Sequence, residues 1–213
     1  MSANLGNLEK FWGRLLSPFC DDFDLLEEAF QRTVHEYNSS GRYHHTLEHI
    51  VHVLDIIETF QTEVNDLTNL RIAAWFHDVV YDPKSDTNEE DSAEFAQFIL
   101  SPMEFHPLQL MRVHDLILLT KEHEVDPDDK EGAILLDADL SILGASEEIY
   151  LAYSHNIRKE YGFVPGEFYS AARRRVLETF LDKDRIYITD KLHESLEKTA
   201  RRNIRKEINY LQI

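Results

Sequence analysis

Apolar side chains recur three and four residues apart along nearly the whole chain, and this spacing limits the possible folds more than any other feature. Such residues share one face of a helix with 3.6 residues per turn, and that face has to be buried against another element. Leu8, Trp12, Leu15 and Leu16 form one stripe over 5–16, and Leu26, Phe30, Val34 and Tyr37 a second over 23–37. The 7 glycines and 6 prolines among 213 residues are roughly half the usual share, so little interrupts the helices.

The same reading continues to the C-terminus. Thr46 is placed to cap a third helix through Leu47, Ile50, Leu54 and Ile57. Leu67, Leu70, Ala74 and His77 share a face of a fourth, which runs into Tyr81-Asp82-Pro83. Thr87 to Glu90 has the form of a capping box and starts a fifth helix. Pro107 opens a sixth, which reaches Thr120. A helix from Lys130 to Leu143, closed by Gly144 at C′, follows the Asp126-Pro127 break. Ser146 caps a helix to about Tyr161, another spans Glu167 to Leu181, and Leu192 to Leu211 mark a long last one. Only Arg185 to Thr189 reads as extended. With no repeat, linker or low-complexity tract, the expectation is one all-α domain over 1–213, a bundle of roughly ten helices. Its core motifs span 42–181, with N-terminal helices in 1–37 and a C-terminal helix in 190–213 packing on it.

Charge and cysteine usage exclude several functions. Lys and Arg number 22 against 40 Asp and Glu, a net charge of −18 that repels a nucleic-acid polymer. The single cysteine, Cys20, rules out an intrachain disulfide, and no uncharged run approaches the roughly 18 apolar residues of a membrane span. A cytoplasmic address, with no signal peptide and no membrane partner, is expected.

Phosphate-loop, dinucleotide and nucleophile-elbow motifs are missing. What stands out is metal-competent side chains on apolar helix faces. The stretch Arg42 to His52 holds four histidines, of which His45, His49 and His52 fall at helical spacing. His77-Asp78 interrupts the apolar run Ala73 to Val80, where an uncompensated carboxylate would cost several kcal/mol. In Leu135 to Leu143, Asp139 lies on the apolar stripe, whereas Asp137 shares its side with Ala133 and Ser141 and either orients a ligating group or faces solvent. Each feature alone also has a plainer reading, as a hydrogen-bonded core histidine, a cap or a salt bridge. Together, His49, His77, Asp78 and Asp139 supply two imidazoles and two carboxylates, a set suited to Mn²⁺, Fe²⁺, Co²⁺ or Zn²⁺ with two octahedral positions left for water and substrate.

The order His49, then His77-Asp78, then Asp139 resembles the H…HD…D signature of the HD superfamily of metal-dependent phosphohydrolases. A bacterial HD-domain branch is similar in RYHHTLEHI, AAWFHDVVYD with NEEDSA, LLDADLSILG and IRKEYGFVPGEF, blocks that cover Arg42 to about Leu181. The resemblance implies an all-helical hydrolase of phosphoesters or phosphoanhydrides, commonly in nucleotides, with the four named residues holding one divalent ion (Mn, Fe, Co, Ni, Zn or Mg). His45, one turn before His49, either contacts phosphate or replaces His49 as ligand. A second ion using His123, or a di-iron oxygenase, would need further histidines in register.

Phosphoester hydrolysis also needs a positioned water and local cations. Asp82 and Glu89 are candidates to orient or deprotonate water, beside Asp78 in the catalytic set; their plainer roles are a turn residue and a helix N-terminal charge. Arg42, Arg158 and Arg173, with Tyr161 for a base or sugar, are candidates for binding a small phosphorylated substrate. The competing reading is a sensor or interaction module that holds a metal or nucleotide on the same fold without turnover.

Overall fold

The computed structural model describes residues 5–64 and 66–211. Residues 1–4 and 212–213 of the outermost expected segments, and Asn65, lie outside the described residues. Among those described, all regular structure is helical and there is no strand. The chain divides into two compact units, Met1–Leu136 and Asp137–Ile213.

The first unit contains α1 (Leu5–Leu16), α2 (Phe23–Tyr37), α3 (Leu47–Glu58), α4 (Thr68–Phe76), α5 (Asn88–Leu100) and α6 (Pro107–Glu122). Helix α4 is its centre. It is apolar nearly all round, with Leu70 and Ile72 to Phe76 buried, and α1, α3, α5 and α6 all pack against it, as a helix without a polar face requires. Trp12 meets Trp75 edge-on at 5.2 Å, and its indole N–H donates to Leu26 O at 3.1 Å, so the ring is buried without losing a hydrogen bond. The Tyr37 hydroxyl donates to Trp75 O at 2.9 Å, satisfying a carbonyl at the open C-terminal end of α4.

Several expected caps are replaced by other chemistry. Thr46 makes no side-chain cap to α3. The capping box at Thr87 does not form: its hydroxyl accepts from no backbone N–H of the first turn and donates to Asp91. Ser146 likewise makes no cap. Asp22 caps α2 by accepting from Asp24 N and Leu25 N, and His106 Nδ1 accepts from Leu108 N ahead of α6. That helix continues past Thr120 to Glu122 and ends at His123 in the left-handed region, φ 52°.

Helix α7 (Lys130–Leu140) begins in the first unit and is unbroken to its end. It stops short of the expected Leu143, and Ser141–Gly144 tighten into a 3₁₀ turn. Gly144 is therefore not a left-handed C′ residue. Its requirement is close approach: a Cβ there would lie 2.6 Å from Leu196 Cβ and 2.9 Å from the Tyr187 hydroxyl. The rest of the second unit is α8 (Glu147–Glu160), α9 (Gly166–Asp182) and α10 (Asp190–Tyr210), with α10 packed on the 3₁₀ turn, α8 and α9.

The segment 185–189 shows why an extended stretch can stand alone in a helical unit. Its amides are taken by carboxylates rather than by a strand: Ile186 N and Tyr187 N donate to Glu197, and Ile188 N and Thr189 N donate to Asp137 at 2.7 Å. Asp137 is fully buried and also accepts from the Thr189 hydroxyl, so neither expected role, orienting a ligating group or facing solvent, describes it. The helical wheel failed here because it considered α7 alone, whereas the buried side of Asp137 is made by residues 51 and 52 positions away.

Gly144→Ala should destabilise the protein by about 1–3 kcal/mol, since the new methyl meets the Cβ of Leu196. The check is urea denaturation followed by circular dichroism.

Candidate metal centre

His49 lies in the first turns of α3, and its buried ring faces the end of α4. His77 is the C-cap of α4, and Asp78 sits in the turn beyond it, so the HD pair follows the helix instead of lying within it. His45 precedes α3 altogether and does not share its face with His49 and His52. Its ring stacks on Tyr81 at 4.1 Å.

Three atoms converge in the first unit. His49 Nε2 and His77 Nε2 are 3.2 Å apart, and they lie 3.5 and 3.1 Å from Asp78 Oδ2. Ligands about 2.1 Å from one ion are separated by about 3.0 Å in octahedral and 3.4 Å in tetrahedral geometry, so the triangle has the dimensions of one face of a coordination shell. The tautomer of His77 agrees. Its Nδ1 lies 3.0 Å from Ala74 O, and a carbonyl can only accept, so Nδ1 carries the proton and a neutral ring turns the Nε2 lone pair towards Asp78. A lone pair facing a carboxylate is repulsive unless a cation joins them. Asp139, the penultimate residue of the continuous helix α7, completes the group: one ligand atom from each of His49, His77, Asp78 and Asp139 lies within 4.8 Å of the others.

The turn that aims Asp78 is held by its backbone. Arg42 is buried, and its guanidinium donates to Asp78 O at 2.7 Å, Val79 O at 2.6 Å and His45 O at 3.1 Å, with Nε on Ser39 Oγ. Four N–H donors are thus engaged within the protein. That corrects the expectation of Arg42 as a phosphate contact: it is a positioning residue for the HD turn. Ser92 of α5 grips the next residue, accepting from Val80 N at 3.0 Å. Neither Ser92 nor Tyr37 was singled out from sequence; the NEEDSA block following HD was the available signal.

Burial alone would raise the Asp78 carboxyl; with no metal in the site, protonated His77 and His45, and the hydrogen bonds that protonated His49 and His77 then donate, outweigh it and hold it well below the ordinary carboxylate range. Burial, with the Asp78 charge, pushes the Tyr37 hydroxyl well up, so it stays a donor.

The remaining candidates are placed as follows. Asp82 is exposed, and one of its oxygens accepts from Lys84 N in the turn before Pro83. Glu89 lies half-buried in the first turn of α5. In the second unit, Arg173 is paired with Glu207 at 2.9 Å and donates to the Tyr153 hydroxyl. Arg158 donates to Tyr161 O and Val164 O, closing the loop after α8 around Tyr161.

Fold and site together define a helical protein whose clustered imidazoles and carboxylates are competent to hold a divalent metal. The family model for the HD domain matches residues 46–195, well over half of the chain, and the protein belongs to that family. No curated protein and no solved structure matches. No helix among the described residues is long and apolar enough to cross a membrane.

Because the Asp78 value is lowered on folding, its contribution to stability is complete above the unfolded value of about 3.9 and is lost as pH falls through the lower folded value. Metal-free protein should therefore lose stability below about pH 4, and Asp78→Asn should lack that component. Urea denaturation between pH 5 and pH 3 is the measurement. Arg42→Ala, which strands three carbonyls, should destabilise by about 2–4 kcal/mol in the same assay.

Proposed function

We propose that this protein is a metal-dependent phosphohydrolase that cleaves a phosphoester or phosphoanhydride of a small, nucleotide-like substrate. The observation that supports it most is the triangle of His49 Nε2, His77 Nε2 and Asp78 Oδ2, with the His77 lone pair turned towards the carboxylate. Membership of the HD domain family supports the same reading. A divalent cation held by His49, His77, Asp78 and Asp139 would lower the pKa of water and polarise a phosphoryl oxygen.

The chain's own groups do the remaining work. Ala74 O fixes the His77 tautomer, while Arg42 and Ser92 fix the backbone from Asp78 to Val80. Both imidazoles are buried, which shields them from bulk water. His45, beside His49 and against Tyr81, would meet the phosphate as a hydrogen-bond donor. Asp82, whose second oxygen is not engaged by the turn, or Glu89 takes the proton from the attacking water. Of the second-unit residues, Arg173 has its charge matched by Glu207, whereas Arg158 does not.

Protein purified without chelator should carry about one equivalent of divalent metal per chain, measured by elemental mass spectrometry, and His49→Ala and Asp78→Ala should lose it. His45→Ala should keep the metal, which fixes His49 as the ligand. Assayed on nucleotides and phosphomonoesters with Mn²⁺, Co²⁺, Ni²⁺ and Mg²⁺, the protein should turn over at least one substrate. Asp78→Ala should lower that rate at least about a hundredfold. Metal binding without turnover anywhere in the panel would overturn the catalytic reading in favour of a binding module.

A further inference from the structure

Beyond Asp78 the chain runs from Val80 to Asp82 before turning at Pro83, and its backbone there is held by side chains of α5. Ser92 Oγ accepts from Val80 N at 3.0 Å and donates to Val80 O at 3.2 Å. Asn88 repeats this pairing one helical turn earlier. Its Oδ1 accepts from Asp82 N at 2.8 Å and its Nδ2 donates to Asp82 O at 2.9 Å. An N–H only donates and a carbonyl oxygen only accepts, so the two bonds fix the orientation of the amide. The spacings match: residues four apart in a helix are separated by about 6 Å along its axis, and alternate residues of an extended chain by about 6.6 Å. One face of α5 thus offers two rungs to two alternate residues of the loop.

The clamped stretch lies beside the metal centre. Tyr81, between the rungs, stacks on His45 at 4.1 Å, and the His45 ring centre is 6.1 Å from that of His49. Asp82, at the outer rung, is exposed and nevertheless fixed at three points: its N–H, its carbonyl and one carboxylate oxygen, Oδ1, which accepts from Lys84 N at 2.9 Å. The bond to Lys84 N closes an Asx turn, and such a turn needs no further side chain on its backbone. Oδ2 is left out of the turn, on a carboxylate whose rotation the Oδ1 bond restrains. The carboxylate of Glu89, the other candidate base, is held by no hydrogen bond among the described residues.

A general base works only within hydrogen-bond reach of the proton it takes, and a carboxylate on a pinned backbone can be kept there. We propose that Asn88 is a positioning residue that holds Asp82 as the general base, so that Asp82 and not Glu89 takes the proton of the attacking water. The assignment rests on the phosphohydrolase reading. The water oxygen forms its bond to phosphorus as its proton passes to Asp82 Oδ2, the bond from phosphorus to the leaving oxygen breaks, and the proton is handed on to that oxygen or to solvent. Asn88 touches no reacting atom and acts through Asp82 alone.

Steady-state kinetics with Mn²⁺, on p-nitrophenyl phosphate and on the nucleotide turned over fastest, test this in the wild type, Asn88→Ala, Asp82→Asn and the double variant. Asp82→Asn, which keeps the turn, should lower kcat about a hundredfold and Asn88→Ala about tenfold, both with KM changed less than about twofold. Adding Asn88→Ala to Asp82→Asn should cost nothing more, whereas a merely structural role would make the two losses multiply. Elemental mass spectrometry should find the wild-type metal content in all four proteins, which separates loss of the base from loss of the ion. Asn88→Asp keeps the acceptor for Asp82 N but sets an oxygen against Asp82 O; it should behave as Asn88→Ala does and takes its place if the alanine variant fails to fold. An active wild type whose kcat survives Asn88→Ala or Asp82→Asn, or losses that multiply in the double variant, would overturn the assignment and leave the phosphohydrolase reading standing. A wild type that holds metal and turns over nothing would overturn both.

Discussion

Two imidazole nitrogens and a carboxylate oxygen within 3.5 Å of one another form an arrangement that a protein holds only when positive charge, a proton or a metal ion, lies among them. Much of the first unit serves this convergence. Helix α4 is buried on nearly every side, so its C-terminal end is fixed in position, and the HD pair is delivered where the helix stops. The carbonyls left open at such an end need donors, and Tyr37 and Arg42 supply them. The same bonds that satisfy the backbone therefore aim Asp78.

The second unit solves a comparable problem with acids. Asp137 and Glu197 accept from four consecutive amides of an extended segment, and Arg201 donates to Leu181 O, Lys183 O and Asp184 O on the approach to it. Buried charge here substitutes for a strand partner. The Arg173–Glu207 pair, with the Tyr150 hydroxyl on the same carboxylate, shows the rule for burying ions: every charge is matched and hydrogen-bonded.

Much of this was legible in the chain. The stripes at Leu8 to Leu16 and Leu26 to Tyr37 fixed α1 and α2 at their observed bounds, because a helix with one apolar face has few ways to be buried. His49, His77, Asp78 and Asp139 were identifiable because ionisable groups on apolar faces need a reason to be there. Caps were read less well: Thr46, Thr87 and Ser146 have the right chemistry, but side-chain rotamers and neighbours direct their hydroxyls elsewhere or leave the cap unmade.

Sequence periodicity, then, determined that the chain is helical and which side chains could hold a metal, since both follow from local spacing and residue chemistry. The tertiary structure decided that His45 lies before α3, that Arg42 grips the HD turn instead of facing substrate, and that Asp137 is buried against a distant segment. Each of these depends on a partner 36 or more residues away or on where a helix ends. Neither is encoded in the 3.6-residue repeat: contact between remote segments arises only when the helices pack.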